Sequence, residues 1–279
     1  MSLRIVTDSS CDLPPQLAVA HGIDIVPLTI RFGEEEFVDR LDLTPEEFWA
    51  RCASSPVLPE TAAPSPGAFE EAYRRAAADG CEGVVCITLS AALSATHGAA
   101  ELAAKAVAEI IPVRVIDSRS LTMALGNMCL CAAREAAAGR GMAEVAEEVE
   151  ELTGRTRVFA ALDTLENLKK GGRIGGAKAM LASVLSIKPI IDVTGGQVEQ
   201  ESKQRTRSKS LRYLAEKVRQ HGRVENLAVM HGDAPDLQDM LDLLAPIYPR
   251  DEIIVGDLGA VIGAHGGPRT MGVTFQLPR

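Results

Sequence analysis

A chain of 279 residues with a formal net charge of −9 is long enough to bury a substantial core and to divide into two domains. The acidic balance excludes a broad nucleic-acid footprint, which needs clustered Lys and Arg, and no apolar stretch approaches the roughly 20 residues that span a bilayer. The first eight residues have strand character without a signal-peptide core, which makes the cytoplasm the expected compartment.

Short β-branched runs alternate with Ala-rich segments of helical period. Strands are expected at 3–7, 23–32, 83–88 and 113–116, and helices at 14–21, 44–54, 66–79, 93–108, 121–138 and 142–152. That alternation implies a parallel sheet with helices on its faces. Asp12 before Leu13-Pro14 and Thr44 before Pro45-Glu46-Glu47 place caps, proline and acids where a first helical turn uses them. The rhythm changes after Thr153-Gly154, so the expected domains are 1–153, an α/β unit, and 154–279, an α+β unit, with a ligand site between them. In the second unit, strands are expected at 157–162, 187–193, 197–203, 226–231, 252–257 and 272–277, and helices at 207–221 and 235–244. Thr194-Gly195-Gly196 between two alternating runs reads as a hairpin turn.

Near the end, Val261-Ile262-Gly263-Ala264-His265-Gly266-Gly267-Pro268 sets one histidine among glycines after an apolar run, as when a strand delivers a polar group to a bare turn. Glycines allow close approach of a ligand, and imidazole pairs with anions near neutral pH; a turn whose histidine only caps backbone groups is the plainer alternative. Hydroxyls concentrate in Thr61-Ala62-Ala63-Pro64-Ser65-Pro66-Gly67 and in Ile87-Thr88-Leu89-Ser90-Ala91-Ala92-Leu93-Ser94-Ala95-Thr96. Ser94 and Thr96 fall where strand 83–88 gives way to a helix, so Ser94 is placed both to cap that helix and to face the strand ends, where open α/β sheets hold ligands. Arg173, in Gly171-Gly172-Arg173-Ile174, offers a guanidinium to an anion. Asp8, Ser9, Ser10 and Asp12 follow the first strand and read as turn and capping residues rather than a Mg²⁺ site. The six cysteines lie in apolar segments without CxxC pairs and read as reduced core residues. Gly171 to Gly176 has neither the Walker A spacing nor the Rossmann fingerprint, so no nucleotide cofactor is expected.

Together with Val6-Thr7-Asp8-Ser9-Ser10 and Leu165-Glu166-Asn167-Leu168-Lys169-Lys170-Gly171-Gly172-Arg173-Ile174, these motifs, in this order, resemble the DegV family of fatty-acid-binding proteins almost end to end. Ala62, Ala63, Ala95, His97 and Arg269 depart from the residues usual at their positions. The resemblance implies a two-domain α/β fold and a long-chain fatty acid as ligand, with no other cofactor and no metal. It also implies that Thr61, Ser94 and His265 contact the carboxylate; Arg173 and Thr96 join them as further ligand-binding candidates. In that reading the protein is a carrier rather than an enzyme. It presents the carboxylate to a separate fatty-acid kinase subunit, which phosphorylates it to the acyl phosphate.

Lys203, Arg205, Arg207, Lys209 and Arg212 form the one strong basic cluster, either a solvated face or, through Arg205 and Arg207, a docking patch for the kinase or a transient contact with an anionic membrane surface. The alternative function is an acyl hydrolase or acyltransferase using Ser94 and His265. It lacks the G-x-S-x-G elbow, since Ser94 lies in Ala92-Leu93-Ser94-Ala95-Thr96.

Overall fold

The computed structural model describes residues 2–181 and 187–279. In chain order its elements are β1 (Leu3–Asp8), α1 (Pro15–Ala20), β2 (Ile23–Val26), β3 (Thr29–Phe32), β4 (Glu35–Val38), α2 (Pro45–Ser54), β5 (Glu60–Ala62), α3 (Pro66–Ala78), β6 (Gly83–Thr88), α4 (Thr96–Ala106), β7 (Val113–Asp117), α5 (Thr122–Ala137) and α6 (Met142–Arg155). There follow β8 (Thr156–Ala161), α7 (Glu166–Lys170), β9 (Lys188–Asp192), β10 (Glu199–Gln204), α8 (Arg207–Gln220), β11 (Glu225–His231), α9 (Leu237–Leu244), β12 (Ile254–Asp257), α10 (Ala260–Gly266) and β13 (Met271–Gln276).

The first half carries the expected parallel sheet, in the order β2-β1-β6-β7. Strand periodicity explains how both faces are covered. Along β6, Val85 and Ile87 pack with α5 and α6 residues such as Met128 and Val145, while Val84 and Cys86 pack with Phe69 and Tyr73 of α3 and Ala100 of α4. Every residue of β6 is consequently buried, as a strand covered on both faces must be.

The second half is a six-stranded mixed sheet, β10-β9-β8-β13-β11-β12. One face packs Phe159, Val229, Val273 and Phe275 against Leu214 and Val218 of α8 and Met240 and Leu244 of α9. On the other face, Ala228 and Met230 join the same cluster as α5 residues Met123, Leu125 and Met128. Helix α5 is therefore packed between the two sheets, and all of Thr122–Leu130 is buried. A helix apolar around its circumference belongs in such a position.

Three expectations are corrected. The run 23–32 is two strands in different sheets: the chain breaks at Pro27-Leu28, where Leu28 N donates to Ser9 Oγ at 3.0 Å. The segment around Thr61 is strand β5, not a free loop; with β3 and β4 it forms a small antiparallel sheet that registers Thr61 opposite Ile30. The apolar run before His265 is helix α10 rather than a strand. Helix α6 continues to Arg155, two residues past the expected domain boundary, and leads directly into β8.

Candidate functional site

Thr61, Ser94, Arg173 and His265, separated widely in sequence, line one pocket. Its polar side is built from four independent segments. Thr61 stands in the middle of β5, and its Oγ1 lies 3.0 Å from His265 Nε2. Ser94 occupies the turn between β6 and α4. Its Oγ accepts from Thr96 N at 3.3 Å and shares a 2.9 Å bond with Thr96 Oγ1. The cap position expected of Ser94 falls instead to Ala95, which makes no side-chain cap bond, and Ser94 forms a local turn that lines the pocket. Arg173 follows α7; its Nε donates to Leu93 O at 3.0 Å and its Nη1 to Gly171 O at 2.7 Å. These two bonds fix the guanidinium plane beside the Ser94 turn. Thr96 is fully buried behind Ser94 and is not among the lining residues; its role here is to orient the serine hydroxyl.

His265 sits in the last turn of α10, a seven-residue helix. A helix this short gains little from its own hydrogen bonds, so its neighbours must place it. Trp49 Nε1 donates to Leu258 O at 3.1 Å, Asn167 Nδ2 to Ala264 O at 3.1 Å, and Thr270 Oγ1 to Gly266 O at 2.9 Å. Burial, and then the positive charge of Arg173, lower the His265 pKa from 6.5 to about 4. The ring is therefore neutral near pH 7, and its Nδ1 is buried without a hydrogen bond among the described residues.

The glycines flanking Arg173 do more than turn the chain. A Cβ on Gly171 would stand 2.3 Å from His265 Nδ1, and one on Gly175 would stand 2.3 Å from Val198 O. The imidazole thus lies flush against the Gly171 backbone, a contact that no other residue permits. The sequence signal for it was the glycine pair itself, which carries no mark of its partner.

Below these polar groups the wall is apolar: Leu28, Leu89, Leu93, Leu121, Leu168 and Ile262 among others. The void these residues enclose is small, about 80 Å³. A second cavity, of about 40 Å³, shares Leu121 and Ile262 as walls and is further lined by Phe159, Val193, Met230 and Val273. Its lining is almost wholly apolar. A cavity with polar groups on one side, next to an almost wholly apolar one, suits an amphiphile with one anionic end.

Residues 2–277 match the DegV family model, described as an uncharacterised protein of the DegV family. The chain belongs to the DegV family. It is 39% identical to a DegV domain-containing protein of Streptomyces coelicolor over 98% of each chain. Among solved structures it is similar to a fatty-acid-binding DegV family protein of Thermus thermophilus, with a TM-score of 0.91, 31% identity and 100% of both chains covered. It is also similar to DegV of Bacillus subtilis, described as a fatty acid binding protein, at a TM-score of 0.88 and 27% identity over 100% of both chains.

Two further expectations meet the geometry differently. Ser94 Oγ bonds Thr96 and His265 Nε2 bonds Thr61; the serine and histidine of the alternative acyl-transfer reading are each hydrogen-bonded to a threonine. In the basic cluster, Arg207 is engaged by Asp236 through two bonds of 2.7 and 2.9 Å, whereas Arg205 is exposed. Arg269 Nε lies 3.6 Å from Asp163 Oδ2. Among the described residues, no helix is long and apolar enough to cross a membrane, and no group of three or more His, Cys, Asp or Glu is placed to hold a metal.

Proposed function

We propose that this protein binds a long-chain fatty acid, with its carboxylate among Thr61, Ser94, Arg173 and His265 and its acyl chain in the apolar cavity beyond Leu121 and Ile262. The observation that carries the reading is the pairing of two adjacent cavities with Leu121 and Ile262 as common walls, hydroxyls and a guanidinium lining one and an almost wholly apolar surface lining the other. Arg173 supplies charge, the hydroxyls and imidazole supply hydrogen bonds, and desolvation of the tail supplies most of the affinity, at about 0.8 kcal/mol per methylene. The neutral His265 donates or accepts without adding a second charge.

We infer that the function is presentation, as the DegV resemblance implies: a separate kinase subunit phosphorylates the carboxylate while the protein shields the chain. Arg205, exposed just after β10, is one of the cluster residues placed to contact that partner or an anionic surface. The ligand site then lies between units 1–153 and 154–279, since both contribute walls.

Native mass spectrometry of the purified protein, followed by denaturation and lipid identification, tests the binding. One fatty acid per chain is expected; a protein that arrives empty and refuses added fatty acids would contradict it. Adding a fatty-acid kinase catalytic subunit with ATP tests presentation, and acyl phosphate should form only when the pocket is loaded.

A further inference from the structure

Behind the pocket, a single carboxylate ties together three of the elements that build it. Asp12, fully buried after β1, accepts from Gly259 N at 3.0 Å and from Arg40 Nη2 at 3.1 Å on Oδ1, and from Thr122 Oγ1 at 2.7 Å on Oδ2. Each partner stands next to the pocket machinery. Gly259 immediately precedes α10 and so sets where His265 falls. Arg40 follows β4, in the small sheet whose strand β5 carries Thr61. Thr122 begins α5, directly after the wall residue Leu121.

The backbone shows how firmly this point is held. Asp12, Arg40 and Thr122 all adopt left-handed conformations, with φ of 49°, 65° and 49°. Non-glycine residues persist there only where surrounding contacts determine them. A Cβ on Gly259 would stand 2.7 Å from Asp12 Oδ1, so the close bond to the start of α10 depends on glycine. Arg40 Nη1 also donates to Leu13 O at 2.9 Å, which fixes the guanidinium from a second side.

We propose that Asp12 is the positioning residue of the head-group pocket, holding the helix of His265 and the sheet of Thr61 in the register that pairs the two side chains. It touches no part of the pocket itself. The proposal rests on the head-group reading for its effect on affinity, but not for its effect on the Thr61–His265 pair.

The test is Asp12→Asn in the full chain, which keeps the size of the side chain while removing its charge toward Arg40 and placing an amide N–H₂ where an acceptor stood. Circular dichroism and thermal melting establish that the variant folds. The ¹⁵N resonances of the His265 ring then report its bond to Thr61, and displacement of a fluorescent fatty acid reports affinity. A folded Asp12→Asn protein should show shifted His265 resonances and at least ten-fold weaker binding of oleate. Unchanged His265 resonances in a folded variant would overturn the proposal, whether or not oleate binds. Should Asp12→Asn fail to fold, Gly259→Ala strains the same bond from the α10 side and should shift the His265 resonances in the same way; unshifted resonances there would overturn it equally. A wild-type protein that binds no oleate would remove the head-group reading and leave the His265 result to decide the positioning role.

Discussion

At the polar end of the proposed ligand path, Thr61, Ser94, Arg173 and His265 arrive from a strand, a turn, a loop and a helix, and hydrogen bonds fix each of them. At the apolar end, the walls come largely from β8, β13 and the residues flanking α10, and packing alone shapes them. The polar end depends on individual atoms, so single substitutions there should change affinity for every chain length. The apolar end depends on volume, so substitutions there should discriminate between chain lengths.

The largest effect is expected where volume is removed. Gly272 lines the apolar cavity, and a Cβ there would meet its neighbours at 3.7–3.9 Å, ordinary contact distances. Gly272→Leu should plug the cavity without displacing the backbone. If three to four methylenes lose their place at about 0.8 kcal/mol each, stearate weakens on the order of 100-fold, while shorter acids are spared. Equal losses for stearate and laurate in a competition assay would place the tail elsewhere.

Arg173→Ala should act on all chains alike. Losing a hydrogen bond to a charged group costs about 1.5–3 kcal/mol, roughly a ten- to hundred-fold loss of affinity, read by calorimetry with oleate and myristate in parallel. Thr61→Val removes the partner of His265 Nε2 and should weaken binding about five-fold, the worth of one neutral hydrogen bond of about 1 kcal/mol; no change would assign Thr61 to structure alone.

A separate effect concerns stability rather than affinity. In the folded protein burial holds His265 neutral down to about pH 4, whereas an ordinary histidine takes up its proton near 6.5. As pH falls from 6.5 toward 4 the unfolded chain binds that proton first, and stability is lost. Asp8 and Asp12, both pushed up to about 6 by burial, act in the opposite sense: the folded state protonates them first, so stability falls as pH rises from 3.8 toward 6. His265→Gln removes only the first contribution. Relative to wild type it should gain stability on going from pH 7 to pH 5, measured by melting temperature at both values.

The polar end was more legible in the sequence than the apolar end, for a physical reason. A hydroxyl, guanidinium or imidazole among glycines and alanines draws attention without deciding between a site and a turn; the DegV resemblance is what singles out Thr61, Ser94 and His265, and these with Arg173 line one pocket. Leu121, Ile262 and Val273 are indistinguishable in sequence from core residues such as Leu125 or Val229, because a cavity wall and a packed core use the same side chains. Thr96 shared the signal of Ser94 but turns into the protein. The parallel sheet was readable from alternation. The helix at α10 was not, because the glycines of Ala260–Gly266 argue against helix by propensity, and tertiary contacts from Trp49, Asn167 and Thr270 overrule them. The sequence places Asp12 as the cap of the helix after Leu13-Pro14, but that helix has Pro14 at its cap and no side-chain cap bond; Asp12 instead holds partners 28, 110 and 247 residues away, which no sequence pattern shows.

The central claim, a carboxylate held ionised among donors at the polar end, is tested most directly by titrating the bound protein with oleate labelled with ¹³C at its carboxyl carbon. The account predicts a distinct bound resonance that stays at its ionised position well below the pH at which the unbound acid protonates, and that moves or vanishes in Arg173→Ala. A bound carboxyl that titrates like the unbound acid, or one indifferent to Arg173→Ala, would contradict it.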